Sequence, residues 1–367
     1  MPAITPLRLA RRTRRASHSA SETPGISPTD IAAHNSRTAL EILRRSGPQT
    51  RLELSARLQL TEPAIAGIMA RLLEAGHVVQ RKRSGGGRYV STEYLLKPES
   101  AYALGLRWTA AGGKICLVDL SGRVVETTDF RSAEEVDRAI DTLLAQGNRR
   151  AGCRGLAIAV SADAPPEAHV WIDRTGGLPL TTLEDKEAAL IAEHVLGVGE
   201  CDGGIVVILV GRRIEAGLLF GAKPFRGEHG RAGNIGAMRT GPQRIPLDEV
   251  LNSDSFTAFM ATARGSETEA LAAWATQAAE HLKDAIIAIG GFLSPGLILI
   301  GGDLPVPALD AMIERVNRQT RIFIDSFSVP DLVRTHFPDG GTAEGAAMSI
   351  FLGDLLPEIS RMGTSDR

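Results

Sequence analysis

Four basic residues, Arg81, Lys82, Arg83 and Arg88, flank the turn Ser84-Gly85-Gly86-Gly87. Cationic side chains crowded on a short hairpin suit phosphate and minor-groove contacts on a nucleic acid. Upstream, Thr50 and Arg51 open one short helical run, and Thr61, Glu62, Ala64 and Arg71 lie along the next. Glu62 can accept from a cytosine amino group and Ala64 can touch a thymine methyl. Ala64, Ala66 and Gly67 cannot make the bidentate base contacts worth ~1–3 kcal/mol apiece. The residue types therefore predict DNA binding whose affinity rests on the basic hairpin, with modest or shape-based sequence preference.

The elements that would carry these groups are legible. Asn35 to Arg45 has a helical pattern with Ala39, Ile42 and Leu43 on one face, broken by Gly47-Pro48. Arg51 to Leu58 gives a second helix through Leu52, Leu54 and Leu58. Thr61-Glu62-Pro63 opens a third with a capping residue and a proline in the first turn. Its inner face is Ile65, Ile68, Met69, Leu72 and Leu73, and Gly76 ends it. Extended runs at 78–83 and 89–95 complete a winged helix, a module that docks one helix in a DNA groove.

Charge agrees with this division. Residues 1–97 hold 16 Lys and Arg against 7 Asp and Glu, and the other 270 hold 25 against 36. A basic head on an acidic body suits a polyanionic partner for the head alone. Arg8, Arg11, Arg12, Arg14 and Arg15 precede the head in a Ser-, Thr- and Pro-rich stretch, read as a disordered basic arm. Three scattered cysteines exclude a disulfide framework and a thiolate metal site, and fit a reducing cytoplasm. No apolar run is long enough to span a membrane.

Beyond Ala101 strands alternate with helices. Strands are expected at 103–108, 114–120, 123–127, 155–161, 204–210, 214–220, 297–300 and 332–336. Helices are expected at 134–145, 184–196, 247–263, 268–291 and 307–320, and another starts at 341. Strand pairs followed by crossover helices occur twice, which predicts a mixed α/β body of two similar lobes.

Three segments in this body carry a resemblance: Arg226-Gly227-Glu228-His229-Gly230-Arg231-Ala232-Gly233-Asn234-Ile235-Gly236, Leu293-Ser294-Pro295-Gly296-Leu297-Ile298-Leu299-Ile300-Gly301-Gly302, and Gly345-Ala346-Ala347. In this order behind a winged helix ending in Gly87-Arg88, they resemble the ROK family over residues 35–355. That family unites sugar kinases with sugar-responsive repressors on an actin-like, two-lobed ATPase fold. The resemblance implies a basic arm (1–30), a winged helix-turn-helix DNA-binding domain (31–97), a two-lobed sugar-kinase-like domain (98–357) and a flexible tail (358–367).

It also shows what has been lost. Family kinases begin with an Asp-x-Gly-Gly-Thr phosphate loop, where this chain has Gly105-Leu106-Arg107-Trp108-Thr109. Their second loop, Gly-Thr-Gly-x-Gly, is matched by Gly211-Arg212-Arg213-Ile214-Glu215, whose side chains fill the space that glycines leave for phosphates. Asn-Asp-x-Asn, holding the catalytic base and a sugar ligand, becomes Glu184-Asp185-Lys186-Glu187. Three acids in one first turn are also what a helix dipole favours. The sugar- and zinc-binding Glu-x-Gly-His becomes Asn234-Ile235-Gly236-Ala237, and the zinc cysteines are absent. Between Ser161 and Pro179 there is room for only a short hairpin where the family has a longer excursion. Asp303 is readable as a cap for the segment that follows it, and His229 either as a hydroxyl ligand or as a turn-fixing residue.

The sequence thus implies a non-enzymatic regulator, a repressor by resemblance, with no catalytic residues, cofactor or metal. It would bind a double-stranded operator as a homodimer through helices at 247–291, with no membrane association. A sugar or other small polar effector would contact Glu184, Asp185, Asn234 and His229. Two other readings stay open: a DNA-binding protein that uses the body only for dimerisation, and a sugar kinase.

Overall fold

The computed structural model describes residues 28–82, 91–161, 163–172, 177–221, 223–321, 329–337 and 339–359. The arm over 1–27, Arg83, Arg88 and the tail from 360 lie outside the described residues.

The head comprises α1 (Pro28–Ser46), β1 (Gln49–Thr50), α2 (Arg51–Leu58), α3 (Glu62–Glu74), β2 (Val78–Lys82) and β3 (Thr92–Leu96). The strands form an antiparallel sheet in the order β1-β3-β2. α1 begins at Pro28, so 28–30, expected in the disordered arm, are helical. Ile65, Ile68, Met69 and Leu72 are buried as expected, with Leu54 beneath them. Leu52 is instead 67% exposed, because a helix of two turns has room for only one inward stripe.

The first lobe contains β4 (Tyr102–Thr109), β5 (Gly112–Asp119), β6 (Val124–Phe130), α4 (Ala133–Leu144), α5 (Arg149–Gly152), β7 (Cys153–Val160), α6 (Pro166–Ile172) and β8 (Leu180–Glu184). Its sheet order is β6-β5-β4-β7-β8, with the first two pairings antiparallel and the last two parallel. Where only a short hairpin was expected, between Ser161 and Pro179, the chain forms α6, and the edge strand β8 follows it. α7 (Asp185–Val195) then crosses to the second lobe.

That lobe holds β9 (Ile205–Val210), β10 (Ile214–Phe220), β11 (Lys223–Pro224), β12 (Arg239–Thr240), β13 (Ile245–Pro246), α8 (Leu247–Val250), α9 (Ser253–Thr262), α10 (Glu267–Leu293), β14 (Leu297–Gly302), α11 (Val306–Thr320) and β15 (Leu332–Arg334). The main sheet, β11-β10-β9-β14-β15, repeats the first lobe's pattern of two antiparallel and two parallel pairings. β9, Ile-Val-Val-Ile-Leu-Val, is buried at every position because helices cover both faces. The single helix expected at 247–263 is two, since Asn252 leaves helical geometry and accepts the Ser255 N–H at 2.6 Å to cap α9.

α12 (Thr342–Phe351) returns to the first lobe and lies between its sheet and α7. Small residues are obligatory there. A Cβ at Gly345 would collide with the carbonyl of Ala188 in α7, and one at Gly105 with that of Ala343 in α12. One hydrophobic cluster joins Leu40 and Leu43 of α1 to Leu190 and Val195 of α7 and to Met348 and Phe351 of α12. The head is therefore seated on the two helices that run between the lobes.

Candidate functional site

On the head, Thr61, Glu62, Ala64, Gly67, Ala70 and Arg71 are all exposed along the outer face of α3. Thr61 is the helix N-cap residue but makes no side-chain capping bond, so its hydroxyl faces outward unspent. Thr50 differs: its hydroxyl and N–H are both engaged with Glu53 in a capping box, while Arg51 beside it is exposed. Lys82 is exposed at the end of β2. Arg81 is ion-paired with Glu93 across the β2–β3 ladder, so it is not the unencumbered phosphate contact its sequence setting suggests. Nothing in the alternation of β3 announced Glu93 as its partner.

In the body, the lobes enclose an open cleft of about 830 Å³. Arg107, near the end of β4, crosses it. Its Nε donates to Asp185 Oδ2 at 3.0 Å and its Nη1 to Asp303 Oδ1 at 2.5 Å, so a first-lobe guanidinium binds the start of α7 to the loop after β14. Burial opposes the Arg107 charge, but Asp185 and Asp303 outweigh it and hold the group above its ordinary pKa. Asp303 is therefore an inter-lobe partner rather than the cap that its position in sequence suggested. Lys114 on β5 makes a second link, to Asp339 and to Glu344 Oε1 at 2.8 Å. Burial works against Lys114 too, and Glu344 and then Asp339 raise its pKa. Sequence reasoning missed Lys114, since its partners lie over 220 residues away.

Asp185 is the unusual member. It is 5% exposed, and its second oxygen, Oδ1, is buried without a hydrogen-bond partner among the described residues. Burial pushes its pKa up, and Arg107, shared with Asp303, does not restore it. Arg212 pairs with Asp254 at 3.0 Å and Arg213 approaches Asp248 at 4.0 Å, so neither is the unpaired cation that a phosphate site needs.

The four residues expected to meet an effector are not equivalent. Asp185 is buried beside the cleft, behind Arg107. Glu184 is half exposed and pairs with Lys186, whose ammonium donates to the carbonyls of Gly230 and Ala232 and fastens the glycine segment to α7. His229 holds a left-handed turn (φ 56°), and its side chain is 73% exposed and lies 3.4 Å from that of Glu228. His tolerates that backbone conformation better than most residues. Asn234 is exposed as well. The space that Asp185 lines is only about 20 Å³, roughly one water, and Glu184, His229 and Asn234 are not among its walls. Among the described residues no group of three acidic, histidine or cysteine side chains is placed to hold a metal ion.

α7 links this cleft to the head. It is buried along its length and spans ~16 Å at 1.5 Å per residue. At its C-terminal end Arg44 donates to the carbonyl of Val195 at 2.9 Å and Arg45 to that of His194 at 3.2 Å. Both cations suit the negative end of the helix dipole, and both are held by Glu41. Burial, and next the Arg45 charge, lower the pKa of His194, which sits beneath them with both ring nitrogens unpartnered among the described residues.

Comparison with known proteins finds no matching family model. The chain is 21% identical over 322 residues to the uncharacterized protein y4fQ of Sinorhizobium fredii, covering 77% of this chain and 81% of that one. It is 23% identical to the DNA-binding transcriptional dual regulator NagC of Escherichia coli over 57% of this chain, and spans only 58% of that protein's length. In three dimensions it matches the crystal structure of a ROK family transcriptional regulator, a homolog of the E. coli MLC protein. The TM-score is 0.66 at 18% identity, over 88% of this chain and 97% of that one. No helix among the described residues is long and apolar enough to cross a membrane.

Proposed function

This chain has the fold of the ROK family and is related in sequence to its regulators, and we propose that it is a DNA-binding transcriptional repressor without phosphoryl-transfer activity. One observation carries the reading: the exposed outer face of α3 beside β2 sits on a head whose first helix is clamped to the buried helix that begins in the cleft. Thr61, Glu62, Ala64 and Arg71 would face base edges. Arg51, Lys82, Arg83 and Arg88 would face phosphates or the minor groove, with Thr50 and Arg81 shaping the surface beside them. Two heads on a dimer would require half-sites one or two helical turns apart. The long α10, which ends beside the 91% exposed Phe292, is the proposed dimer surface.

Against a kinase stand Arg107, which occupies the place of the first phosphate-loop acid, and the side chains of Arg213 and Glu215 in the second loop. An anionic nucleotide would have to displace Arg107 from two carboxylates to use it. Asp185, with Glu184, Asn234 and His229 outside its chamber, is the proposed effector contact. The 20 Å³ space there also favours a second reading, a ligand-independent DNA-binding protein whose body serves only to dimerise.

Genome-wide mapping of bound DNA, followed by fluorescence anisotropy on the recovered sites, tests the function. Binding should weaken linearly in log–log form with salt, and Lys82→Ala should reduce that slope by about 0.9, one phosphate contact. Arg88→Ala should weaken binding more than Ala64→Ser changes sequence preference. Absence of site-selective binding would sink the regulator reading.

A further inference from the structure

The space beside Asp185 is too small for a sugar ring, but its chemistry is particular. Asp163, Asp185 and Glu215 line it together with Arg107, Arg212 and Arg213. The three guanidinium groups are engaged outside it or shared: Arg107 with Asp303, Arg212 with Asp254, Arg213 with Asp248. Lys186, the nearest ammonium on α7, is spent on Glu184 and two carbonyls. On the acidic side, Asp163 accepts from the Ser161 hydroxyl at 2.5 Å and has no cationic partner among the described residues. Glu215 is half-buried, and of the opposite charges Lys186 acts on it most strongly, then Arg213, both of them already engaged elsewhere. The buried Oδ1 of Asp185 has no partner among the described residues. A buried carboxylate oxygen without a donor is costly, so the Asp185 side of the chamber is short of one donor.

A volume of about 20 Å³ admits one water or one ammonium group. An ammonium presents donors and no acceptor, which suits the orphaned Asp185 oxygen. Asp163, Asp185 and Glu215 are not placed to chelate a metal ion, so an ammonium would bond Asp185 Oδ1 and meet the other two acids as neighbouring charges. The chamber shares Arg107, Asp163 and Arg212 as walls with the 830 Å³ cleft, whose remaining lining includes Thr109, Lys114, Arg131 and Glu135. A ligand can therefore seat its amine in the chamber and its polar remainder in the cleft, on the side away from Glu184 and His229.

We propose that Asp163, Asp185 and Glu215 receive the primary ammonium group of a small hydrophilic amine, the remainder of which occupies the inter-lobe cleft. This rests on the cleft being the effector site of the regulator. Occupancy would compete with Arg107 for Asp185, the first residue of the helix that ends beneath the head, and so would alter what holds the lobes together.

Thermal-shift titrations of the full chain test it, with D-glucosamine beside N-acetyl-D-glucosamine and putrescine beside 1,4-butanediol. The amines should raise Tm while their uncharged counterparts do not, and Glu215→Gln or Asp163→Asn should weaken the apparent Kd about tenfold or more. Equal shifts from charged and uncharged compounds, a shift reproduced by KCl, an amine response unchanged in both variants, or no response to either amine would each overturn the proposal. Asp163 lies outside the strands on a partly exposed loop, so its variant remains informative where Glu215→Gln does not fold. Anisotropy with DNA on the same samples separates the two readings. A chain that binds DNA and ignores amines loses this inference alone, whereas one that binds no DNA loses the proposed function.

Discussion

The head–body junction and the inter-lobe cleft are both crossed by arginines, yet they are built on different principles. At the junction, Arg44 and Arg45 donate to backbone carbonyls, Glu41 neutralises both, and Leu40, Leu43, Met348 and Phe351 pack beneath. These three charged groups all have fixed partners and the apolar area is continuous, although the His194 ring beneath has no partner among the described residues. At the cleft, Arg107 and Lys114 are held by carboxylates on the neighbouring loops and on α7 and α12, with Asp185 Oδ1 and Glu344 Oε2 buried and unpartnered among the described residues. Side-chain bridges around a cavity can be exchanged for contacts with a ligand, whereas a packed core sealed by carbonyl contacts cannot. The difference suits a head that follows the body rigidly and lobes whose separation responds to what enters between them.

The largest effect should come from the junction. Phe351→Ala, at 0% exposure, should cost about 3–5 kcal/mol in denaturant unfolding. A loss under ~1 kcal/mol would mean that the junction is not a single packed unit. Next, Glu41→Ala leaves two guanidinium groups without their carboxylate, one of them 6% exposed, and should cost on the order of 3 kcal/mol. Limited proteolysis should then cut between head and body sooner than in the parent chain.

Arg107→Gln should cost less, about 2 kcal/mol near neutral pH, because Asp185 can take up a proton in place of its cation. Its pH dependence is the sharper readout. Asp185 already has a raised pKa, so the folded chain binds that proton more tightly than the unfolded chain does. Stability therefore falls as pH rises from the ordinary carboxylate range through the folded value. Without Arg107 that value rises further, and the fall should steepen and extend toward neutrality. Matching pH profiles for variant and parent would show that Arg107 does not govern Asp185. The smallest effect is expected from Arg212→Ala. Its pair with Asp254 lines the cleft but stays within one lobe and is more than half exposed, so the loss should be under ~0.5 kcal/mol.

Much of the frame was legible beforehand. α3 and its inner face followed from 3.6-residue periodicity and a Thr-Glu-Pro start, and β9 from an unbroken apolar run. The repeated order of strand pairs and helices announced two lobes. What escaped notice was short or non-local. β1 has only two residues and is set by pairing with β3. The break between α8 and α9 depends on the cap that Asn252 makes. Leu52 fitted the apolar pattern but has no core to face. At the candidate site the sequence singled out Arg107, Arg213 and Glu215 as departures from a phosphate-binding pattern, and Asp185 as the acid kept from the sugar-binding one. It did not disclose that Arg107 reaches Asp303, nor that His229 points to solvent.

Taken alone, the sequence determined the secondary elements, the polarity of the head against the body, and the replacement of phosphate-loop residues by Arg107, Arg213 and Glu215. These are local properties: periodicity, capping and charge are written in consecutive residues. Only the tertiary structure decided which charges neutralise one another, how little space remains beside Asp185, and that one buried helix has its first residue in the cleft and its last carbonyls under the head. Those depend on approach between segments 78 to 230 residues apart, and no neighbour in sequence carries that information.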